Sequence, residues 1–174
     1  KFSNIGAVHG FHISAGCLFA PGKFVQHIPY DPYLYFNEEE QNIALRLYTH
    51  GWDIYHVHGV PIYHLYNMEP EKMGTDSRRL HWHDSTDQQV EKPAWWAQVE
   101  RAKARMVTLL WGNSQELGRY GLGSQRSLQD YALMCGIDYP GRTIAPKAFE
   151  GPWDLPSEVM TQAPKPLGTV VPGP

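Results

Sequence analysis

Apolar positions along the chain fall into short runs near the start and helical stripes further on. Over residues 1–36 the runs are cut by glycine and proline, which predicts strands and turns. Ile13-Ser14-Ala15-Gly16-Cys17-Leu18-Phe19 reads as a buried strand stopped by Pro21-Gly22. Gly10 and Gly16 are expected where another backbone or a ligand approaches closely. Pro29-Tyr30-Asp31-Pro32 predicts a turn, because Pro32 keeps Asp31 out of the helical region.

The period then changes. Ile43 and Leu47 share one helical face, with Ala44 and Tyr48 beside it, predicting a helix from Glu38 to His50. Asn37 is the expected N-cap, and Glu40 completes a capping-box pattern. Gly51 is the expected stop. Strands are predicted over Asp53–Val57 and Val60–Tyr66; Pro61 makes the second an edge strand. Residues 67–92 are polar and irregular. Val99, Ala102, Met106, Leu109 and Leu110 form a stripe that predicts a helix over Ala94–Trp111. Another is predicted over Ser124–Cys135, capped by Ser124 and stopped by Gly136. Beyond Gly151 the proline content predicts an extended tail.

Composition narrows the classes. The chain has 174 residues, 42% of them hydrophobic, enough for one domain with a core. A net charge of -3 argues against a nucleic-acid partner. No apolar run approaches the roughly 18 residues of a membrane span. Cys17 and Cys135 lie far apart in apolar surroundings and read as reduced core residues. With no signal peptide and few cysteines, the expected location is cytoplasmic. The sequence opens Lys-Phe-Ser, so its start need not be a natural domain boundary.

Several residue groups admit chemistry. His56, His58 and His64 flank the adjacent predicted strands, and imidazole binds Zn, Mn or Fe; no HxxxH helix or CxxC pair accompanies them. Glu38-Glu39-Glu40 complements the helix dipole, and one of these carboxylates turned into a cleft would serve as acid or base. Asp31 sits in an aromatic, proline-rich loop, suited equally to a packed turn or to a sugar's apolar face and hydroxyls. Trp95-Trp96 reads as packing at a helix start. GxSxG, P-loop, Rossmann and HExxH motifs are absent.

Taken in order, Ala15-Gly16-Cys17-Leu18-Phe19, Val25-Gln26-His27-Ile28-Pro29-Tyr30-Asp31-Pro32, Tyr35-Phe36-Asn37-Glu38-Glu39-Glu40 and Arg46-Leu47-Tyr48-Thr49-His50-Gly51-Trp52-Asp53 resemble one GlcNAc-transferase family. It includes hydroxyproline N-acetylglucosaminyltransferases and bacterial homologues. His81-Trp82-His83-Asp84 is similar to its HW-D segment, and Leu117–Gly123 with Arg126–Tyr131 to the tail of its bacterial members. The resemblance covers about residues 12–140. It implies an α/β GT-A fold, a mostly parallel or mixed sheet flanked by helices, and transfer from a UDP-sugar with retention of configuration. The donor would be UDP-GlcNAc, the acceptor a protein or glycan hydroxyl, and the cofactor Mn2+ or Mg2+. His64 matches the family's metal-binding histidine, Glu39 and Glu40 its glutamate pair, and Asp31, with neighbouring Tyr30, its VPYDP segment. Arg78 and Arg79 are expected from the resemblance to contact phosphates; Arg46, His50 and Asp53 are expected to position the helix.

Three departures qualify the resemblance. The family's glycine before the glutamate pair is Glu38, and the acidic residue after the metal histidine is Leu65. No DxD or DxH precedes the glutamates in a strand-end context. The chain therefore reads as the C-terminal half of a GT-A catalytic domain over residues 1–92, a helical extension over 93–150 and a tail over 151–174. A separate N-terminal half or an oligomer partner would supply the nucleotide site, and the chain alone is expected to catalyse little. The alternative is a non-catalytic glycan- or protein-binding module derived from such an enzyme.

Overall fold

A computed structural model describes residues 7–36, 38–57, 62–63 and 94–150. Within them the elements are β1 (Ala7–Gly10), α1 (Lys23–His27), α2 (Glu39–Thr49), β2 (Ile54–Val57), α3 (Trp95–Trp111), a 3-10 segment (Ser114–Tyr120), α4 (Leu128–Cys135), β3 (Ile137–Asp138), β4 (Thr143–Ile144) and a second 3-10 turn (Pro146–Phe149). The fold is thus a mixture of α and β. Both described sheets are antiparallel pairs: β1 on β2, with Val8 opposite His56, and β3 on β4.

The central element is α2. Every residue from Asn42 to Thr49 is buried, so this helix is covered all round rather than along one stripe. On one side Ile43 and Leu47 pack with Ile13, Phe24 and Ile28. On the other, Leu45 and Tyr48 pack with Tyr131, Met134 and Cys135. Each large apolar side chain so buried contributes on the order of 1.5–3 kcal/mol. That burial explains why α2 forms despite its polar first turn.

Several expectations need correction. Ile13–Phe19 is no strand: Ile13 alone is buried, and Phe19 is 99% exposed. The glycine and Ser14 favour a turn, closed by Cys17 N–H donating to the Ser14 carbonyl. Cys17 is exposed, whereas Cys135 is in the core; both are free thiols. A Cβ at Gly16 would meet only Ser14 Oγ, at an ordinary 3.7 Å, but Gly10 does admit a neighbour, since a Cβ there would lie 2.6 Å from the His56 ring. Glu40 does not close a capping box; its carboxylate is engaged elsewhere, with Ala15. The last helix starts at Leu128 rather than Ser124, because Ser127 and Asp130 form a reciprocal capping box. Gly136, at φ 80°, ends it as expected. Expected helix α3 and strand β2 are present within a residue of their limits. Of the second expected strand only Ile62 and Tyr63 are described, in no regular element. Asn37, His58, His64, Arg78, Arg79, His81–Asp84 and the 151–174 tail lie outside the described residues.

Candidate active site

Glu38 stands at the N-cap of α2 and Glu39 and Glu40 in its first turn, three consecutive glutamates at the positive end of the helix dipole. They are treated differently. Glu40 is held: Ala15 N–H donates to its Oε1 at 2.8 Å, and His12 Nε2 lies 3.7 Å from its Oε2. Glu38 and Glu39 each have a buried Oε2 with no hydrogen-bond partner. Burial raises the pKa of both, opposed by backbone hydrogen bonds. For Glu39 the neighbouring Glu40 and Glu38 charges raise it further. The half-exposed Tyr30 hydroxyl is also pushed up, chiefly by burial and then by the Glu39 and Glu40 charges. Tyr30, Glu39 and Glu40 are therefore brought together, as a tyrosine beside two carboxylates of unequal hydrogen bonding. Just before this turn Phe36 adopts φ 65°, a conformation uncommon for a bulky residue.

Asp31 is placed apart from that cluster. Its side chain is fully buried, accepting from Tyr33 N–H at 3.0 Å and from Arg105 Nε at 2.6 Å. Pro32 fixes the loop so that this carboxylate faces α3. Arg105 and Arg101, four residues apart on that helix, lie over the Tyr33 ring at 5.0 and 5.2 Å. Arg46 is likewise internal. Its guanidinium donates to the carbonyls of Pro29 (2.8 Å) and Arg119 (3.1 Å) and to Asn42 Oδ1 (3.3 Å). Desolvation lowers its pKa to about 10, partly offset by Asp31. It thus ties the Tyr30 loop, α2 and the 3-10 segment together.

At the other end of α2, Thr49, His50 and Asp53 are also structural anchors. Thr49 Oγ1 donates to the Leu45 carbonyl (2.9 Å) and accepts from Gly123 N–H (2.9 Å). The Thr49 carbonyl accepts from Gln125 and Arg126 N–H. His50 Nδ1 meets the Arg46 carbonyl at 2.8 Å, and burial lowers the His50 pKa. Arg126 pairs with Asp53 at 2.8 Å, donates to the Trp52 carbonyl at 3.2 Å and lies 4.9 Å over Tyr48. A Cβ at Gly123 would stand 2.4 Å from the Thr49 carbonyl oxygen, so only glycine permits this approach. Residues 117–126 therefore clasp the Thr-His-Gly-Trp-Asp segment.

The sequence reading did not single out Arg105 and Arg126 as partners of Asp31 and Asp53. Their signal was present but weak: Arg101 and Arg105 recur at helical spacing, and Arg126 follows the Gly121-Leu122-Gly123-Ser124 stretch. Among the described residues no three His, Cys, Asp or Glu side chains cluster as a metal site. Nor is any described helix long and apolar enough to cross a membrane.

No curated protein and no solved structure matches the chain. A family model does, described as Glycosyltransferase (GlcNAc), over residues 5–140. That span takes in the glutamate turn, the buried Arg46 network and the clasp around Thr49, and the chain belongs to this GlcNAc glycosyltransferase family.

Proposed function

We propose that this chain is part of an enzyme transferring GlcNAc from UDP-GlcNAc to a protein or glycan hydroxyl. The observation carrying this reading is the Glu39 carboxylate: buried on one oxygen, unpartnered there, and raised in pKa at a helix start beside Tyr30. A carboxylate left short of hydrogen bonds in a family transferase domain is suited to engage a sugar hydroxyl or move its proton. Glu40, anchored to Ala15 and His12, is the second member of the pair and faces the same substrate. Tyr30 offers an aromatic edge and a hydroxyl to the sugar, and Asp31 holds that loop in place. Arg78 and Arg79 would meet the donor phosphates. A GT-A arrangement, of which this chain forms the C-terminal half, is part of the proposal.

A divalent metal, Mn2+ or Mg2+, also belongs to the proposal through His64. The described residues supply no complete ligand set, so His64 would act with groups outside them. Such an ion would act as a Lewis acid on the leaving diphosphate.

The test is calorimetric titration of UDP-GlcNAc with Mn2+ into wild type and His64→Ala, followed by a transfer assay on Glu39→Gln. Metal-dependent binding lost in His64→Ala, with transfer reduced about 10²–10⁴-fold in Glu39→Gln, supports the reading. Binding and transfer unchanged in both variants would overturn the assigned roles. Glycan binding without any transfer would favour a non-catalytic module, the reading to which Glu38 in place of the family's glycine points.

A further inference from the structure

Of the histidines read as metal ligands only His56 lies among the described residues, and the proposed chemistry leaves it unused. It stands on β2 opposite Val8 of β1. Its ring passes over β1 at Gly10, where a Cβ would stand 2.6 Å from Nε2, so a glycine is what leaves this path open. Beyond the glycine, His56 Nε2 meets the His12 carbonyl at 2.7 Å. A carbonyl only accepts, so Nε2 carries the proton and is not free to ligate a metal ion. The bond ties down backbone instead. One residue earlier, the Phe11 carbonyl accepts from the Tyr131 hydroxyl at 2.5 Å. One residue later, Ile13 packs in the core with Phe24 and Ile43. Residues 11–13 are thus fixed at three successive points.

That stretch of backbone leads into both contacts of Glu40. His12 Nε2 lies 3.7 Å from Glu40 Oε2, and Ala15 N–H donates to Oε1 at 2.8 Å. A partly exposed contact of either kind holds a carboxylate only loosely by itself, because solvent competes and the side chain must give up its freedom. Two contacts from one fixed segment, one on each oxygen, define the carboxylate plane as well as its place. We infer that His56 is a positioning residue for Glu40, acting through the His12 carbonyl and the turn from His12 to Ala15. The inference rests on the reading of Glu40 as the anchored, substrate-facing member of the glutamate pair. It gives the histidine of β2 a task that needs no metal: with Glu40 held from β2, Glu39 is left as the carboxylate with an oxygen to spare.

The test uses the full 174-residue chain with His56→Leu, which removes the donor, and His56→Gln, which keeps an N–H at similar reach. The Ala15 amide reports on Glu40 directly, since its N–H is bonded to that carboxylate. Its solvent exchange, followed by NMR, should quicken about tenfold in His56→Leu and return to the wild-type rate in His56→Gln, with the amides of α4 unchanged. Transfer from UDP-GlcNAc should fall about tenfold to a hundredfold in kcat at constant KM in His56→Leu. The same substitution should cost nothing further in a Glu40→Ala background, where no carboxylate remains to be placed. Ala15 exchange that is unaltered in His56→Leu, or that quickens together with every amide of β1 and β2, overturns the proposal. So does a kcat loss that persists in full without Glu40. A wild type that transfers no sugar defeats the proposed function instead, and the Ala15 amide then still decides whether His56 holds Glu40.

Discussion

The two ends of α2 are built on opposite terms. At its C-terminal end Thr49 is partnered with Leu45 and Gly123, His50 with Arg46 and Asp53 with Arg126, and the exception is the buried Tyr48 hydroxyl. At its N-terminal end two glutamates keep a buried oxygen without a partner. Buried polar atoms are normally satisfied, so an exception asks for a reason. The C-terminal end is organised for holding residues 117–126 against the core. The N-terminal end, where these oxygens lack partners, is the end we propose meets the substrate. Polar residues in adjacent motifs of one helix can therefore have unrelated purposes, and hydrogen-bond satisfaction separates them.

The comparison breaks most sharply at Asp31, which belongs to the holding machinery by its contacts although it lies beside Tyr30. Asp31→Asn should lower unfolding free energy by about 3–5 kcal/mol, because it leaves Arg105 without its ion-pair partner and removes the negative charge that offsets the burial of Arg46. Urea denaturation measures this; unchanged stability would mean that Asp31 is reserved for substrate. Gly123→Ala comes next. Its methyl group would be forced against the Thr49 carbonyl, costing about 1–3 kcal/mol in the same experiment. Thr49→Val, which keeps the shape but removes the hydroxyl that serves Leu45 and Gly123, should cost about 1–2 kcal/mol. A Thr49→Val protein as stable as wild type would show that residues 117–126 are held without that bridge.

Much of the holding end was legible in the sequence. Periodicity located α2 and α3, and Gly51 and Gly136 marked helix ends, since both sit at positive φ where other residues are strained. The order of motifs was enough to suggest the family. The caps were not legible, because Ser124 and Ser127 look alike until Asp130 is seen to reciprocate. Nor was the false strand at Ile13–Phe19: an apolar run cannot reveal that its own phenylalanine faces solvent. At the site, charge pattern left Glu38, Glu39 and Glu40 equivalent. Their inequality arises from a tertiary contact, Ala15 and His12 reaching Glu40 from 25 and 28 residues upstream. Likewise the aspartate of the Tyr-Asp-Pro segment finds Arg105 across 74 residues, a pairing no local pattern encodes.

The smallest effect is the most informative about the open end. Glu39 is raised in pKa by burial, with Glu40 and Glu38 adding to it, so the folded state holds its proton to higher pH than the unfolded chain does. In that interval the native state binds more protons, and stability falls as pH rises. The Glu39 contribution is fully present below the ordinary carboxylate pKa and is lost as pH climbs through the raised one. Glu38 shifts the same way and sums with it. Glu39→Gln should remove part of this slope between the two pKa values while changing stability little at lower pH, where the wild-type side chain is already protonated. Denaturant midpoints taken across the acid-to-neutral range measure the difference. A mutant with the wild-type slope would mean that Glu39 ionises as freely as a surface carboxylate, and the contrast between the two ends of α2 would then rest on Glu38 alone.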